Sequence, residues 1–145
     1  MKERVLILCT GNSARSQIAE GLLRELSGSH FDVFSAGSKP STVNPFAIKV
    51  MQERGIDISQ HRSKHLNEFL KQQFDYVITV CDLAAETCPI FPGRAQRIHW
   101  SFPDPAAVSG SDDDKLNAFR QTRDAIEAQL KHWLESQVVR QAAKE

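Results

Sequence analysis

The sequence predicts an α/β fold in three layers, in which a four-stranded parallel sheet is flanked by helices. Apolar, β-branched runs typical of strands alternate with segments whose apolar residues recur every third or fourth position, as in helices. Such alternation predicts βαβ units, whose parallel sheets are covered on both faces. The chain of 145 residues contains no linker, internal repeat or low-complexity tract, so we expect a single domain over residues 1–145.

The first half of the chain is predicted to supply two strands and two helices. Residues 4–8 and 31–35 are short apolar runs, which indicates buried strands. Between them, an apolar residue at every fourth position predicts a helix that ends at Gly28. Asn44 and Pro45 predict the start of the second helix, the asparagine as its N-cap and the proline in its first turn.

The second half is predicted to complete the sheet and to add a long final helix. Residues 66–70 suggest a short helix, residues 76–80 form the clearest strand of the chain, and residues 97–100 suggest a fourth. Three aspartates at 112–114 place negative charge at the start of the last helix, where the helix dipole favours it. We expect His99, at the end of the fourth strand, to be structural.

Charge and hydropathy exclude several kinds of partner. Lys and Arg number 18, as do Asp and Glu, so the net charge is zero and gives no footprint of nucleic-acid or membrane-surface binding. No apolar run approaches the roughly 18–20 residues of a membrane helix, and the N-terminal apolar run is too short for a signal peptide. We therefore expect a cytoplasmic protein with no nucleic-acid or membrane partner.

The segment CTGNSAR, residues 9–15, lies between a predicted strand and a predicted helix and favours an oxyanion site. Backbone N–H groups in such a loop form an anion nest, and the helix N-terminus adds positive charge. The residues that would surround the anion are Thr10, Gly11, Asn12, Ser13, Ala14 and Arg15. Arg15 is expected to bind two oxygens, and Gly11 to supply backbone freedom. The alternative is a tight turn with an incidental Cys and Arg.

Two side chains near this loop predict nucleophilic chemistry. The positive field is expected to lower the pKa of Cys9 and make it a thiolate, to which Ser16 would donate a hydrogen bond. Asp104 lies between two prolines after the fourth strand and is the candidate proton donor to a departing oxygen. Asp-Pro is also an ordinary turn signal.

The chain contains three cysteines, Cys9, Cys81 and Cys88. An odd number without a signal peptide argues against a disulfide framework, and the spacing does not match a zinc site, so we expect no metal. Buried inert thiols and redox chemistry both remain open on these grounds. Cys9 and Cys81 each follow a predicted strand, so they are expected at the same edge of the sheet.

Several motifs together resemble a known family. CTGNSARSQIAEG, SAG at 35–37, NPFAI at 44–48 and GIDIS at 55–59 are similar to the low-molecular-weight tyrosine phosphatases. VITVCDLAAETCP at 77–89 and HWSFPDP at 99–105 resemble one branch more closely, the thioredoxin-coupled arsenate reductases. The resemblance covers nearly the whole chain and implies the phosphatase-like fold, a monomer and no cofactor.

The resemblance implies a relay of three thiols that reduces arsenate to arsenite in arsenical resistance. Cys9 attacks arsenate, Asp104 protonates the departing oxygen, and Cys81 attacks Cys9 so that arsenite leaves. Cys88 then attacks Cys81, and thioredoxin reduces the resulting disulfide, with glutaredoxin or another thiol system as the open alternative. If residues 81–88 are helical, their ends lie about 10 Å apart, beyond the roughly 7 Å Cα limit of a disulfide, so the segment must unwind.

One position departs from the family pattern. Many relatives bind a monovalent cation beside the loop through residues that match Asn12, Glu20 and Ser35, but the next ligand position, usually acidic, is Lys64 here. We hypothesise that its ammonium replaces the cation, so that potassium neither binds nor stimulates.

Two other functions remain open from the sequence. A phosphatase acting on phosphotyrosine would use the same loop and leave Cys81 and Cys88 as inert core thiols, and weak phosphatase activity is also compatible with a reductase. A non-enzymatic protein would hold trivalent arsenic or a soft metal on three thiolates. The pair Cys81 and Cys88 favours the reductase.

Overall fold

The computed structural model describes residues 2–82 and 91–144 and contains one four-stranded sheet. Its strands are β1 (Glu3–Cys9), β2 (Phe31–Gly37), β3 (Tyr76–Thr79) and β4 (Gln96–His99). They lie in the order β2-β1-β3-β4, and every neighbouring pair is parallel. The prediction of a four-stranded parallel sheet is therefore confirmed.

The start of the second helix and the end of the first lie at the predicted capping residues. The helices are α1 (Arg15–Ser27), α2 (Pro45–Gln52) and α3 (Asp112–Lys144), with short 3-10 helices at Leu66–Phe69 and Pro105–Ala107. The Asn44 side chain accepts a hydrogen bond from Phe46 N at 2.8 Å, and Gly28 follows α1 with a φ of 58°, so both predicted caps are confirmed. In the described part of the chain, no helix combines the length and the apolar character that crossing a membrane requires.

Both faces of the sheet are covered, because successive side chains of a strand point to opposite faces. On one face Phe31 of β2 stacks on Trp133 of α3, with ring centroids 5.5 Å apart. On the other face Phe34 of the same strand packs against Phe69 of the first 3-10 helix. The strands β1, β2 and β3 are largely buried, as expected for a parallel sheet between two layers, whereas the edge strand β4 is mostly exposed.

The end of β2 touches the loop that follows β1. A Cβ atom added at Gly37 would collide with the carbonyl oxygen of Thr10 and lie 2.9 Å from that of Cys9. Glycine is therefore required for this close approach of two backbones. The contact fixes the candidate site against the sheet.

Candidate active site

The loop of residues 10–14 joins the first strand to the first helix at the carboxyl edge of the sheet. Cys9 is the last residue of β1 and Arg15 is the first of α1, which confirms the predicted strand–loop–helix arrangement. Cys9 is buried, with 5% of its surface exposed. The loop thus lies at a helix N-terminus, where unpaired N–H groups and the helix dipole favour an anion.

The carbonyl oxygens of the loop are engaged by the chain around it. That of Thr10 accepts a hydrogen bond from Lys39 N at 2.9 Å, and that of Gly11 accepts one from Ser63 Oγ at 2.8 Å. These two carbonyl oxygens, the negative ends of their peptide dipoles, therefore accept hydrogen bonds from the surrounding loops. The arrangement suits a cavity that receives an anion.

Asn12 gives the loop its unusual backbone conformation. Its φ is +46°, whereas Gly11 does not adopt a positive φ, so the prediction that Gly11 supplies this freedom is wrong. The Asn12 side chain is fully buried; its Nδ2 donates to Ser16 Oγ and Ser35 Oγ, each at 2.9 Å, and its Oδ1 accepts from Lys64 N at 2.9 Å. Asparagine tolerates this region better than most residues, and these bonds hold it there.

A cavity of about 230 Å³ opens above the loop. Most of the residues predicted to surround an anion line it. The lining residues are Cys9, Thr10, Gly11, Ser13, Ala14, Arg15, Asp104 and Ala106. Asn12 is not among these lining residues, because its side chain makes the buried bonds described above, and contact of its backbone N–H with an anion stays a prediction.

Arg15 and Asp104 meet across this cavity. Arg15 Nη2 lies 3.8 Å from Asp104 Oδ2, and Arg15 Nη1 donates to the carbonyl oxygen of Phe102 at 2.9 Å. Arg15 Nε is buried without a hydrogen-bond partner among the described residues. A buried, unpaired guanidinium N–H is costly unless a ligand accepts from it, so the geometry favours an oxyanion at this point.

The Cys81 thiol lies beside the nucleophile candidate. Its sulfur is 3.5 Å from Thr10 Oγ1, and a hydrogen bond between the Cys9 and Cys81 side chains raises the pKa of Cys9 well above its usual range. Burial raises it further, while the Arg15 charge and the Thr10 N–H lower it by less. The prediction of a lowered Cys9 pKa is therefore wrong for this structure, because the positive field does not offset a thiol partner and desolvation. The expected meeting of the two cysteines at one sheet edge is confirmed.

A family model described as low molecular weight phosphotyrosine protein phosphatase matches residues 4–144. The chain belongs to this phosphatase family. Within the family it is similar to an arsenate reductase of Halalkalibacterium halodurans, 44% identical over 93% of this chain and 97% of that protein. Among solved structures it resembles an arsenate reductase in a phosphate-binding state, with a TM-score of 0.79, 30% identity, and coverage of 92% of this chain and 98% of the other.

A thioredoxin-dependent arsenate reductase of Corynebacterium glutamicum is also similar in structure. The TM-score is 0.73 and the identity 30%, over 93% of this chain and 61% of that one. The family membership and the sheet order together confirm the low-molecular-weight phosphatase-like fold that the motifs predicted.

The structure describes Ser16 but not Cys88, the two remaining residues of the predicted site. Ser16 Oγ accepts a hydrogen bond from Asn12 Nδ2 at 2.9 Å, and its donation to Cys9 stays a prediction. Cys88 lies outside the described residues, and so does the predicted unwinding of residues 81–88.

The buried carboxylate of Glu20 lies close to three basic side chains beneath the loop, of which Arg24 and Lys64 carry charge, while burial lowers the pKa of His61. Arg24 Nη1 lies 2.9 Å from the carboxylate, His61 Nδ1 3.2 Å and Lys64 Nζ 3.8 Å. Glu20 Oε1 also accepts a hydrogen bond from Ser35 at 2.7 Å. The role of His61 was missed in the sequence, because its partner Glu20 is 41 positions away along the chain and no local pattern connects them.

These residues do not fit the monovalent cation of the family. Potassium requires several oxygen ligands, but Asn12 turns its Nδ2 toward Ser35, and its Oδ1 already accepts from the backbone of Lys64. The Glu20 charge is balanced by the surrounding cations. Burial lowers the pKa of Lys64 and the Glu20 charge opposes that shift, as expected for an ammonium enclosed beside a carboxylate.

Proposed function

We propose that this protein reduces arsenate to arsenite through Cys9, Cys81 and Cys88, with thioredoxin as the electron donor. The observation that carries the proposal is the Cys81 thiol beside Cys9 at an oxyanion cavity. Hydrolysis of a phosphate ester needs only one nucleophile. Reduction of As(V) to As(III) takes two electrons, which two thiols release when they form one disulfide.

In the first step the Cys9 sulfur attacks arsenic and an S–As bond forms. A Cys9 with a raised pKa starts as a thiol, so it gives its proton to an arsenate oxygen as it attacks. The departing oxygen of hydrogen arsenate already carries one proton, and Asp104 supplies the second, so it leaves as water. Arg15 holds the remaining oxygens and balances their charge.

In the second step the Cys81 sulfur attacks the Cys9 sulfur. The S–As bond breaks and its electron pair stays on arsenic, which leaves as arsenite and takes up the Cys81 thiol proton. The two sulfurs are oxidised to the Cys9–Cys81 disulfide, and arsenic is reduced by the same two electrons.

In the third step Cys88 attacks Cys81, releases Cys9 as a thiol and leaves a Cys81–Cys88 disulfide. The dithiol of thioredoxin reduces this bond and restores the protein. A mobile disulfide of this kind requires a reducing compartment, so we propose that the protein acts in the cytoplasm as a monomer with no further cofactor.

The test couples arsenate to thioredoxin, thioredoxin reductase and NADPH, and follows NADPH oxidation in the wild type, Cys81→Ser and Cys88→Ser. We expect repeated turnover only with all three thiols, and one arsenite per protein with a trapped Cys9–Cys81 disulfide in Cys88→Ser. Replacing thioredoxin by glutaredoxin and glutathione identifies the reductant.

The same variants distinguish the other functions. Hydrolysis of an aryl phosphate at full rate in both serine variants, with no arsenite formed by the wild type, would instead establish a phosphatase. Tight stoichiometric retention of arsenite without turnover would establish a binding protein.

A further inference from the structure

A chain of hydrogen bonds joins the residue after Cys81 to the ends of two strands. Asp82 Oδ1 lies 2.9 Å from His99 Nε2, and His99 Nδ1 lies 2.7 Å from Thr79 Oγ1. Thr79 is the last residue of β3, His99 is the last of β4, and the two are register partners in the sheet. We call Thr79, His99 and Asp82 the sheet-end clamp.

The clamp persists in either charge state of His99. A neutral imidazole accepts from the Thr79 hydroxyl at Nδ1 and donates to Asp82 at Nε2. A protonated imidazole donates at both nitrogens, and the Thr79 hydroxyl then has the carbonyl oxygen of Ile98, at 3.5 Å, as its acceptor. Hydrogen bonds from His99 and then Ser101 lower the pKa of Asp82, and the Arg15 charge adds to the shift, so the Asp82 carboxylate stays anionic.

The clamp brackets Cys81 on both sides along the chain. Thr79 precedes it by two positions and is 5% exposed, and Asp82 follows it directly. Val80, between them, donates its N–H to the carbonyl oxygen of Leu8 at 3.0 Å. The backbone that carries the Cys81 sulfur is therefore tied to the strand that carries Cys9 before it and to the end of β4 after it.

We propose that His99 and Asp82 are positioning residues that hold the Cys81 sulfur at Cys9 for the second thiol step. The inference rests on the proposed relay and adds two residues that act through Cys81 without touching arsenate. Formation of a disulfide depends on how often two sulfurs reach bonding geometry, so restricting the backbone of one of them raises its effective concentration.

A merely structural ion pair predicts a different result. The His99 and Asp82 side chains are 38% and 75% exposed, and exposed pairs contribute little to the stability of a fold. Loss of the clamp should thus leave the melting temperature almost unchanged while it alters the thiol chemistry. Disulfide formation and thermal unfolding together separate the two roles.

The experiment measures the active-site disulfide in a Cys88→Ser background, at equilibrium with glutathione and glutathione disulfide. The oxidant accepts the two electrons of the dithiol and becomes two glutathione molecules, so arsenate is not required. We expect His99→Ala and Asp82→Ala each to lower the equilibrium constant for the disulfide by roughly three- to tenfold. Asp82→Asn keeps an acceptor oxygen for His99 and should restore most of the loss. His132→Ala, an exposed histidine on α3, is the matched control and should change nothing.

Arsenate then serves as a second oxidant in the same proteins. After mixing with arsenate, the two alanine variants should form the disulfide more slowly. Inorganic phosphate should protect Cys9 from an alkylating reagent equally well in all of these proteins. An equilibrium constant equal to that of the parent in both alanine variants would overturn the clamp. If the wild type forms no arsenite but the glutathione equilibrium shifts as expected, the proposed function fails and the clamp stands.

Discussion

Replacing Lys64 by alanine should destabilise the protein and make its stability respond to potassium. Lys64 Nζ lies 3.8 Å from Glu20 Oε1, and the two side chains are 13% and 3% exposed. At an effective dielectric constant of about 20, such a pair attracts by about 4 kcal/mol. Release of the ammonium from its desolvated site and the remaining charge of Arg24 offset much of this, which leaves a net loss of about 1–2 kcal/mol.

Thermal unfolding at equal ionic strength in sodium or potassium chloride measures the effect. For a chain of this length the loss corresponds to a decrease in melting temperature of about 3–8 °C in sodium. In Lys64→Ala, Glu20 faces fewer positive charges, and potassium should restore part of the stability. The wild type should melt at the same temperature in both salts.

Lys2→Ala is the matched control, because Lys2 pairs with Asp32 at 3.6 Å but both side chains are about half exposed. Its melting temperature should change by less than about 1 °C. A higher melting temperature or faster turnover of the wild type in potassium than in sodium would refute the reasoning, since it would mean that a cation binds despite the Lys64 ammonium.

Three further predictions concern the site and its support. Asp104→Asn should lower the rate of arsenite formation by about 100-fold in single turnover while phosphate still protects Cys9 from alkylation, because only the proton donor is lost; an unchanged rate would remove Asp104 from the first step. Gly37→Ala should lower the free energy of unfolding by about 2 kcal/mol or more in a denaturant titration, because the added Cβ collides with the Thr10 carbonyl oxygen. An unfolding free energy equal to that of the wild type would contradict the close approach of the two backbones. Glu53, whose pKa is lowered to about 2 by hydrogen bonds from Arg120 and then Arg123, contributes stability that is present above its unfolded pKa and lost as the pH falls through about 2. Glu53→Gln should therefore flatten the acidic part of the plot of unfolding free energy against pH. The loss near neutral pH should be about 1 kcal/mol, because the Glu53–Arg120 pair is partly exposed. A variant plot parallel to that of the wild type would show that Glu53 does not contribute to the pH dependence.

Features set by local pattern were predictable from the sequence. The strands follow from short β-branched runs, and Asn44 with Pro45 marks the start of α2 through capping chemistry that needs no distant partner. The meeting of Cys9 and Cys81 was also predictable, because both follow strands of a parallel sheet whose carboxyl ends share one edge.

Features set by contacts between distant residues were not predictable. The pKa of Cys9 depends on the Cys81 side chain, 72 positions away, and on burial, neither of which a loop motif reveals. The positive φ belongs to Asn12 because Ser35 and the backbone of Lys64 bind its amide, so glycine was not needed there. The contact between His99 and Asp82 was not predictable either, because only the pairing of β3 with β4 brings these two residues together.

The two thiols lie at the carboxyl ends of neighbouring strands, Cys9 at the end of β1 and Cys81 two residues beyond β3, and this sets a limit on how the protein can change. Adjacent strands in a sheet lie about 4.8 Å apart, so the approach of the two sulfurs depends on the hydrogen-bond ladder between β1 and β3. Substitutions in the outer helices can vary widely without altering that distance. A slip of β3 by a single residue would turn its side chains to the opposite faces of the sheet, and the Cys81 thiol that follows the strand would lose its place beside Cys9.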